Sequence, residues 1–254
     1  MVDKLLRVDG RVALVTGASS GLGERFATAL AEAGASVAIA ARRIDRLYSL
    51  EAHLTRAGSK VKACEMDVTR VASIESAFYA IEAALGPIDI LVNNSGVSVT
   101  KPLVDHDEAD YDFVMDTNLK GVFFVARAVA KRMIAANRPG RIINIASAGG
   151  LRPLAQIGIY CVSKAGVVHL TRAMAMEWGR HGITVNALCP GYIETEINRD
   201  YFATEGGRKL IATLPRKRVG KPEDLDGLIL YLASDASHFV NGAVIAADDG
   251  MTAG

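Results

Sequence analysis

The 254-residue sequence has little cysteine, few aromatics, no charge of one dominant sign and no long apolar run. Each shortage excludes something. The three cysteines, Cys64, Cys161 and Cys189, are odd in number and widely spaced, so they form no disulfide framework and no CxxC or zinc pattern. They predict a reducing, cytoplasmic setting. Aromatics at 6% leave little for a base-stacking nucleic-acid platform. Lys plus Arg is 29 against 28 Asp plus Glu, a net charge of +1. That balance provides no field for DNA or RNA and no polybasic membrane anchor. No apolar run reaches the roughly 18 residues that span a bilayer. The opening MVDKLLRVDG lacks a signal-peptide core and carries Asp3. The histidines His53, His106, His169, His181 and His238 are scattered without an HExxH pair, and no metal is expected.

What the sequence does hold is apolar surface and glycine: 50% hydrophobic residues and 24 glycines. A chain of this length buries roughly 70–75% of its unfolded surface without covalent staples. Short β-branched runs alternate with longer helical periods. Strands are predicted at 11–16, 35–41, 60–66, 88–93, 140–146, 182–189 and 243–247. Helices are predicted at 22–33, 44–57, 71–84, 107–115, 118–136, 157–179 and 222–234. This alternation predicts an α/β fold: a Rossmann-type three-layer sandwich around a central, mostly parallel seven-stranded sheet. No linker composition divides the chain, so residues 1–254 are expected to form one domain. The polar stretch 191–215 follows the sixth strand and carries Gly206 and Gly207. An exposed helical excursion is one reading of it, but its place after the sixth strand favours a movable substrate lid.

Chemistry concentrates at the ends of the strands. TGASSGLG, from Thr16 to Gly23, places Gly17, Gly21 and Gly23 between a strand and a helix. Such glycines let the backbone approach a pyrophosphate, and the helix start offers free N–H groups. No Gly-Lys-Ser/Thr follows, which disfavours a Walker A loop. GASSG also matches the nucleophile elbow of serine hydrolases, with Ser19 in the serine place, but no acid and histidine partner stands out. An acidic residue at the end of the second strand would pair with the ribose of NAD. Here Ala41 is followed by Arg42 and Arg43, which suit the 2′-phosphate of NADP. The same two arginines also read as ordinary surface charges. Asp67 after the third strand is placed for adenine, and Asn94 and Gly96 after the fourth for a ribose. A helix or turn cap is the plainer reading of Asp67 and Asn94.

Ser147 stands at the end of the fifth strand, and Tyr160 and Lys164 share one helical face four residues apart. A nearby ammonium and a positive nicotinamide ring are expected to lower the phenol's pKa and make Tyr160 a usable acid or base. Ser147 would hold the reacting oxygen, and Asn118, at the start of its helix, would bind a water on the proton path. Taken singly, each of the four has a packing, capping or surface reading; together they point to one crevice.

With these motifs the sequence resembles the short-chain dehydrogenase/reductase family, in the form that includes 3-oxoacyl-carrier-protein reductases. The likeness runs from Arg11 to Gly250 through TGASSGLG, NNSG at Asn93–Gly96, and YCVSK at Tyr160–Lys164. It implies a catalytic tetrad of Asn118, Ser147, Tyr160 and Lys164. It implies NADP(H) held by Gly17, Ser19, Ser20, Gly21, Leu22, Gly23, Arg42, Arg43, Asp67, Val68, Asn94, Ser95 and Gly96. On the nicotinamide side it adds Tyr160, Lys164, Pro190, Gly191, Ile193 and Thr195. Ser20 departs from members with a second basic residue in the glycine loop, so the preference rests mainly on Arg42. Ser95 replaces the usual alanine of NNAG, and VIAADDGM departs from the usual DGG ending. The resemblance implies a carbonyl or secondary alcohol as substrate, with hydride exchanged at carbon. Alternatives are a 3-oxoacyl thioester on carrier protein or CoA, reached through Arg208, Lys209, Arg216, Lys217 and Arg218, and a non-catalytic dinucleotide-binding regulator. A homo-oligomer, tetramer before dimer, is expected, with no nucleic-acid or membrane partner.

Overall fold

Aliphatic runs without polar interruption need burial on both faces. In a computed structural model of the protein, which describes residues 5–196 and 198–253, the predicted strand runs line up in one sheet. Asp3 and Ile197 lie outside the described residues. The strands are β1 (Val12–Thr16), β2 (Ser36–Ala41), β3 (Val61–Glu65), β4 (Ile90–Asn93), β5 (Gly140–Ile145), β6 (Ile183–Pro190) and β7 (Val244–Ala247). Their order is β3-β2-β1-β4-β5-β6-β7. Every neighbouring pair is parallel, so the sheet is wholly rather than mostly parallel.

The helices are α1 (Gly21–Glu32), α2 (Ile44–Arg56), α3 (Val71–Leu85), α4 (Glu108–Met115), α5 (Val122–Ala135), α6 (Gly158–Trp178), α7 (Arg199–Ala203), α8 (Glu205–Thr213) and α9 (Asp226–Ala233). Side-chain alternation splits the core into two layers. Ala13 and Val15 of β1 pack with Phe26, Leu30, Leu47, Ile229 and Leu232 of α1, α2 and α9. Val12 and Leu14 face Phe78, Ile81, Val125, Val129 and Met174 of α3, α5 and α6. The chain order reverses between β1 and β4, and the crevice where ligands bind in such sheets opens at their carboxyl ends.

Phe78 is fully buried, with the Arg132 guanidinium 4.7 Å from its ring centroid. Phe78→Ala is expected to cost about 3–5 kcal/mol, read as a lower midpoint in chemical denaturation.

Two elements differ from expectation. The segment Asp116–Gly121 is a π-helical turn that joins α4 to α5, so the two predicted helices run continuously. Stretch 191–215, where none of the helices predicted from apolar periodicity falls, contains α7 and α8. Among the described residues, no helix is long and apolar enough to cross a membrane.

Candidate active site

The crevice is stitched together by backbone groups at the ends of β1 and β4. Thr16 Oγ1 accepts from the N–H groups of Asn94 (3.0 Å) and Ser95 (3.1 Å). Asn94 Nδ2 returns to the carbonyls of Thr16 (3.1 Å) and Gly17 (3.3 Å). Gly17 has φ +65 and stands so close that an added Cβ would lie 3.0 Å from the Ser95 Cα. A Cβ on Gly23 would come within 2.6 Å of Asn94 Nδ2, so this turn admits no side chain. Asn94 thus shapes the loop as well as bordering it.

Ser20 caps α1 without a side-chain hydrogen bond, which leaves the first-turn N–H groups, at Gly21, Leu22 and Gly23, open to an anion. The hydroxyls of Ser19 and Ser20 each accept from Arg43 Nη2, both at 2.9 Å. Arg43 therefore arches from the end of β2 over the glycine loop. Arg42 is exposed, and among the described residues no hydrogen bond or ion pair engages it. Thr195 approaches from the opposite wall: its Cγ2 would lie 3.4 Å from a Cβ on Gly21. One residue on, Glu196 pairs with Arg46 of α2 at 2.8 Å, and that guanidinium holds its carboxyl below the usual range. Asp67 Oδ1 accepts from the Thr69 N–H (3.0 Å) and hydroxyl (2.8 Å), so one oxygen serves the turn. Val68 is buried beneath Gly121, where a Cβ would meet its Cγ2 at 2.8 Å. A dinucleotide fits this donor set: open helix amides for a pyrophosphate, two guanidinium groups at the end of β2, and no carboxylate at Ala41.

Ser147, Tyr160 and Lys164 converge past the ends of β5 and β6. Ser147 is extended, and its Oγ accepts from the Gly149 N–H at 3.0 Å. Its side chain also acts on the Tyr160 phenol, favouring the phenol's anion. Lys164 is 3% exposed and donates to the Ile145 carbonyl at 2.8 Å. Its Nζ lies 5.8 Å from the Tyr160 ring centroid and would lie 3.5 Å from a Cβ on Gly96. Burial brings the Lys164 pKa down to about 8. Burial also pushes the Tyr160 phenol up, with the Ser147 side chain working against it. The expected lowering by the neighbouring ammonium is thus reversed in the protein alone. Removal of the phenol from water outweighs the local stabilisation of its anion.

Asn118 sits inside the π turn rather than at a helix start, and it is fully buried. Its Oδ1 accepts from Val97 N–H (2.8 Å), while Nδ2 donates to the Val97 carbonyl (2.9 Å) and Ser163 Oγ (3.0 Å). Ser163 in turn donates to the Tyr160 carbonyl at 2.7 Å. The Asn118 side chain is therefore occupied in bracing the turn of α6 that carries Tyr160, and any water it holds must use its backbone. Pro190 ends β6, and Gly191 abuts the tail so closely that a Cβ would lie 2.7 Å from the Asp248 Cα. Ile193 is buried and bridges to Gly220.

The family model for enoyl-(acyl carrier protein) reductase matches residues 17–252. A crystal structure of a short-chain type dehydrogenase/reductase from Mycobacterium marinum superposes with a TM-score of 0.94 at 40% identity, covering 100% of both chains. The chain belongs to the short-chain dehydrogenase/reductase family. A gluconate 5-dehydrogenase from Burkholderia cenocepacia J2315, solved with NADP and tartrate, gives a TM-score of 0.95 at 38% identity, again over 100% of both chains. Gluconate 5-dehydrogenase of Gluconobacter oxydans (strain 621H) is 40% identical over 249 residues, 98% of this chain and 97% of that protein. This short-chain dehydrogenase/reductase is thus an oxidoreductase that exchanges hydride between a nicotinamide dinucleotide and a carbonyl or secondary alcohol.

The structure adds groups that the motifs do not announce. Asn93 Nδ2 donates to Asn144 Oδ1 at 3.0 Å, and Asn144 Nδ2 to Thr171 Oγ1 at 2.9 Å. This buried chain ties β4, β5 and α6 together beneath the site. Its sequence signal is a polar residue at the end of one apolar run, Asn93, and inside another, Asn144. The basic run near the lid is largely self-engaged: Arg216 and Arg218 share Asp249 at 2.9 and 2.7 Å, and Lys209 pairs with Glu205.

Proposed function

We propose that the protein is an NADP-dependent dehydrogenase/reductase of polyhydroxylated secondary alcohols and their ketones, with Tyr160 as general acid/base. The convergence of Ser147, Tyr160 and Lys164 at the mouth of the glycine-loop crevice carries this reading. A bound NADP supplies the hydride exchange at its nicotinamide ring. Tyr160 takes the proton from the alcohol oxygen, or returns it to the carbonyl oxygen. Ser147 donates a hydrogen bond to that same oxygen and fixes its distance from the phenol. Lys164 holds a positive charge beside the phenolate, and Asn118 keeps the turn in place.

Gly17, Ser19, Ser20, Gly21, Leu22 and Gly23 would receive the pyrophosphate. Arg42 and Arg43 would take the 2′-phosphate, Asp67 and Val68 the adenine, and Asn94, Ser95 and Gly96 a ribose. Lys164 would also reach a ribose, while Pro190, Gly191, Ile193 and Thr195 would border the nicotinamide. Stretch 191–215 would act as the lid. The two gluconate 5-dehydrogenase relatives support the substrate class. The internal pairing of Arg216 and Arg218 with Asp249 leaves less charge for a carrier-protein or CoA phosphate. The test is a turnover screen with both cofactors in both directions, on gluconate, sorbitol, galactitol, glycerol, a cyclic diketone and acetoacetyl-CoA. Turnover confined to acetoacetyl-CoA would replace the polyol reading with the thioester one.

Carbonyl reduction needs Tyr160 protonated and Lys164 cationic. Burial raises the phenol, so Lys164 titrates first. The kcat/KM for reduction is expected to stay level below about pH 8 and fall above it, as Lys164 loses its proton. A pH–rate profile with no alkaline limb would remove Lys164 from this role.

We also propose a cytoplasmic homotetramer. Val104, Met176 and Phe239 are exposed apolar side chains that a partner copy would cover, and the buried thiols suit a reducing compartment. Sedimentation analysis that finds a monomer would overturn the oligomer.

A further inference from the structure

The segment between Ser147 and Tyr160 borders the reacting oxygen, yet between the turn Ala148–Gly150 and the start of α6 at Gly158 it has no regular structure. Besides the Arg152 guanidinium, which donates to the Met251 carbonyl at 3.3 Å, two fastenings bear on the rest. Near its end, the Lys101 N–H donates to the Gln156 carbonyl at 2.9 Å. Gln156 sits there at φ +66, a backbone conformation that L side chains rarely adopt. In the middle, the Leu154 N–H donates to Cys161 Sγ at 3.4 Å, and that sulfur lies 3.9 Å from the Leu154 carbonyl oxygen. The thiol therefore clasps both polar groups of one residue.

Cys161 directly follows Tyr160 and is 5% exposed. A Cβ on Gly149 would lie 3.2 Å from its Sγ, 3.3 Å from Ser147 Oγ and 3.6 Å from Leu154 Cδ1. The thiol, the Ser147 hydroxyl and the Leu154 side chain thus surround one small space. We infer that Cys161 is a positioning residue for the substrate: its thiol holds Leu154 as an apolar wall beside Ser147, and that wall sets how tightly the carbonyl or alcohol is bound. This inference rests on the reading of Ser147 and Tyr160 as the reacting site. The wall meets the carbon skeleton next to the reacting carbon and keeps water from the Ser147 hydroxyl. Sulfur suits the clasp, because it both accepts and donates weakly.

The test uses NADP(H) and whichever compound in the screen above the parent turns over fastest. Cys161→Ala strands the Leu154 N–H and loosens the wall. It is expected to raise the substrate KM about tenfold, with kcat and the cofactor KM within about twofold of the parent. Cys161→Ser keeps a donor and an acceptor and should bring KM back to within about threefold. Leu154→Ala should raise KM in the same direction, and the Cys161→Ala/Leu154→Ala pair should add little beyond the larger single effect. Parental KM in Cys161→Ala, or an equal loss of kcat and cofactor affinity, overturns the inference. So does parental KM in Leu154→Ala, which decides the matter should Cys161→Ala not fold. A parent without turnover on every compound overturns both this inference and the reading beneath it. Turnover that Tyr160→Phe abolishes, but that Cys161→Ala leaves unaltered in KM, overturns the inference alone.

Discussion

Tyr160→Phe is expected to lower kcat by about 10³-fold while the NADPH dissociation constant stays within about twofold of the parent's. The substitution removes one oxygen and keeps the ring. Lys164 still reaches the Ile145 carbonyl, and the Ser163 bond to the backbone of residue 160 remains. Only the phenol oxygen and its interaction with the Ser147 side chain are lost. Steady-state kinetics and a fluorescence titration with NADPH separate the two effects. Parental kcat would reject Tyr160 as the acid/base. Tight NADPH binding in a parent that turns over nothing would instead favour a dinucleotide-binding regulator.

The loss should be large because the site has no substitute for the phenol. Ser147 Oγ accepts from the Gly149 N–H and keeps its own proton to orient the reacting oxygen, and burial keeps the Cys189 thiol protonated, with its pKa pushed up to about 11. Lys164, lowered to about 8, is held against the Ile145 carbonyl. The lowering also has a cost for the fold. Below pH 8 the folded and unfolded chains both carry the charge, and the full penalty of burying it applies. Between about pH 8 and the ordinary lysine value of 10.5 the folded chain binds fewer protons, so stability rises with pH.

Most of the scaffold can be read from local pattern, because the strands must be apolar throughout. VALVT at β1 is buried at every position, as a strand covered on both faces requires. Glycine, serine, tyrosine and lysine could be placed because sheet topology brings every strand end to one edge. Features set by tertiary packing could not. The π turn inserts one extra residue between α4 and α5, which a helical period does not register. Helix α8 carries Gly206 and Gly207 in its first turn and reads as a loop; the Thr204 hydroxyl, accepting from the Gly207 N–H at 3.1 Å, caps it. The clasp of Cys161 on Leu154, the Arg46–Glu196 pair and the Asn93–Asn144–Thr171 chain join residues whose spacing carries no periodic signal. The direction of the Tyr160 shift failed for the same reason. Spacing shows the ammonium one turn away, while burial is a property of the packed whole.

Arg42→Ala/Arg43→Ala is expected to lower kcat/KM for NADPH by about 10²-fold and to leave the value for NADH within about threefold, so that the parent's preference collapses. β2 ends at Ala41, where no carboxylate is present to pair with a ribose 2′-hydroxyl or to repel a phosphate. Arg43 already bridges the Ser19 and Ser20 hydroxyls, which fixes its guanidinium over the glycine loop before any ligand arrives. Arg42 is exposed beside it. A dianionic 2′-phosphate would engage both, and each charged hydrogen bond lost leaves a phosphate oxygen facing water instead. The single variants should each show about a tenfold loss, with Arg43→Ala also loosening the glycine loop and so weakening NADH slightly. Added salt should weaken NADPH more steeply than NADH in the parent, because the extra attraction acts between partly exposed charges. Equal efficiency with the two cofactors in the parent would show that these arginines are surface charges, and that dinucleotide recognition ends at the pyrophosphate.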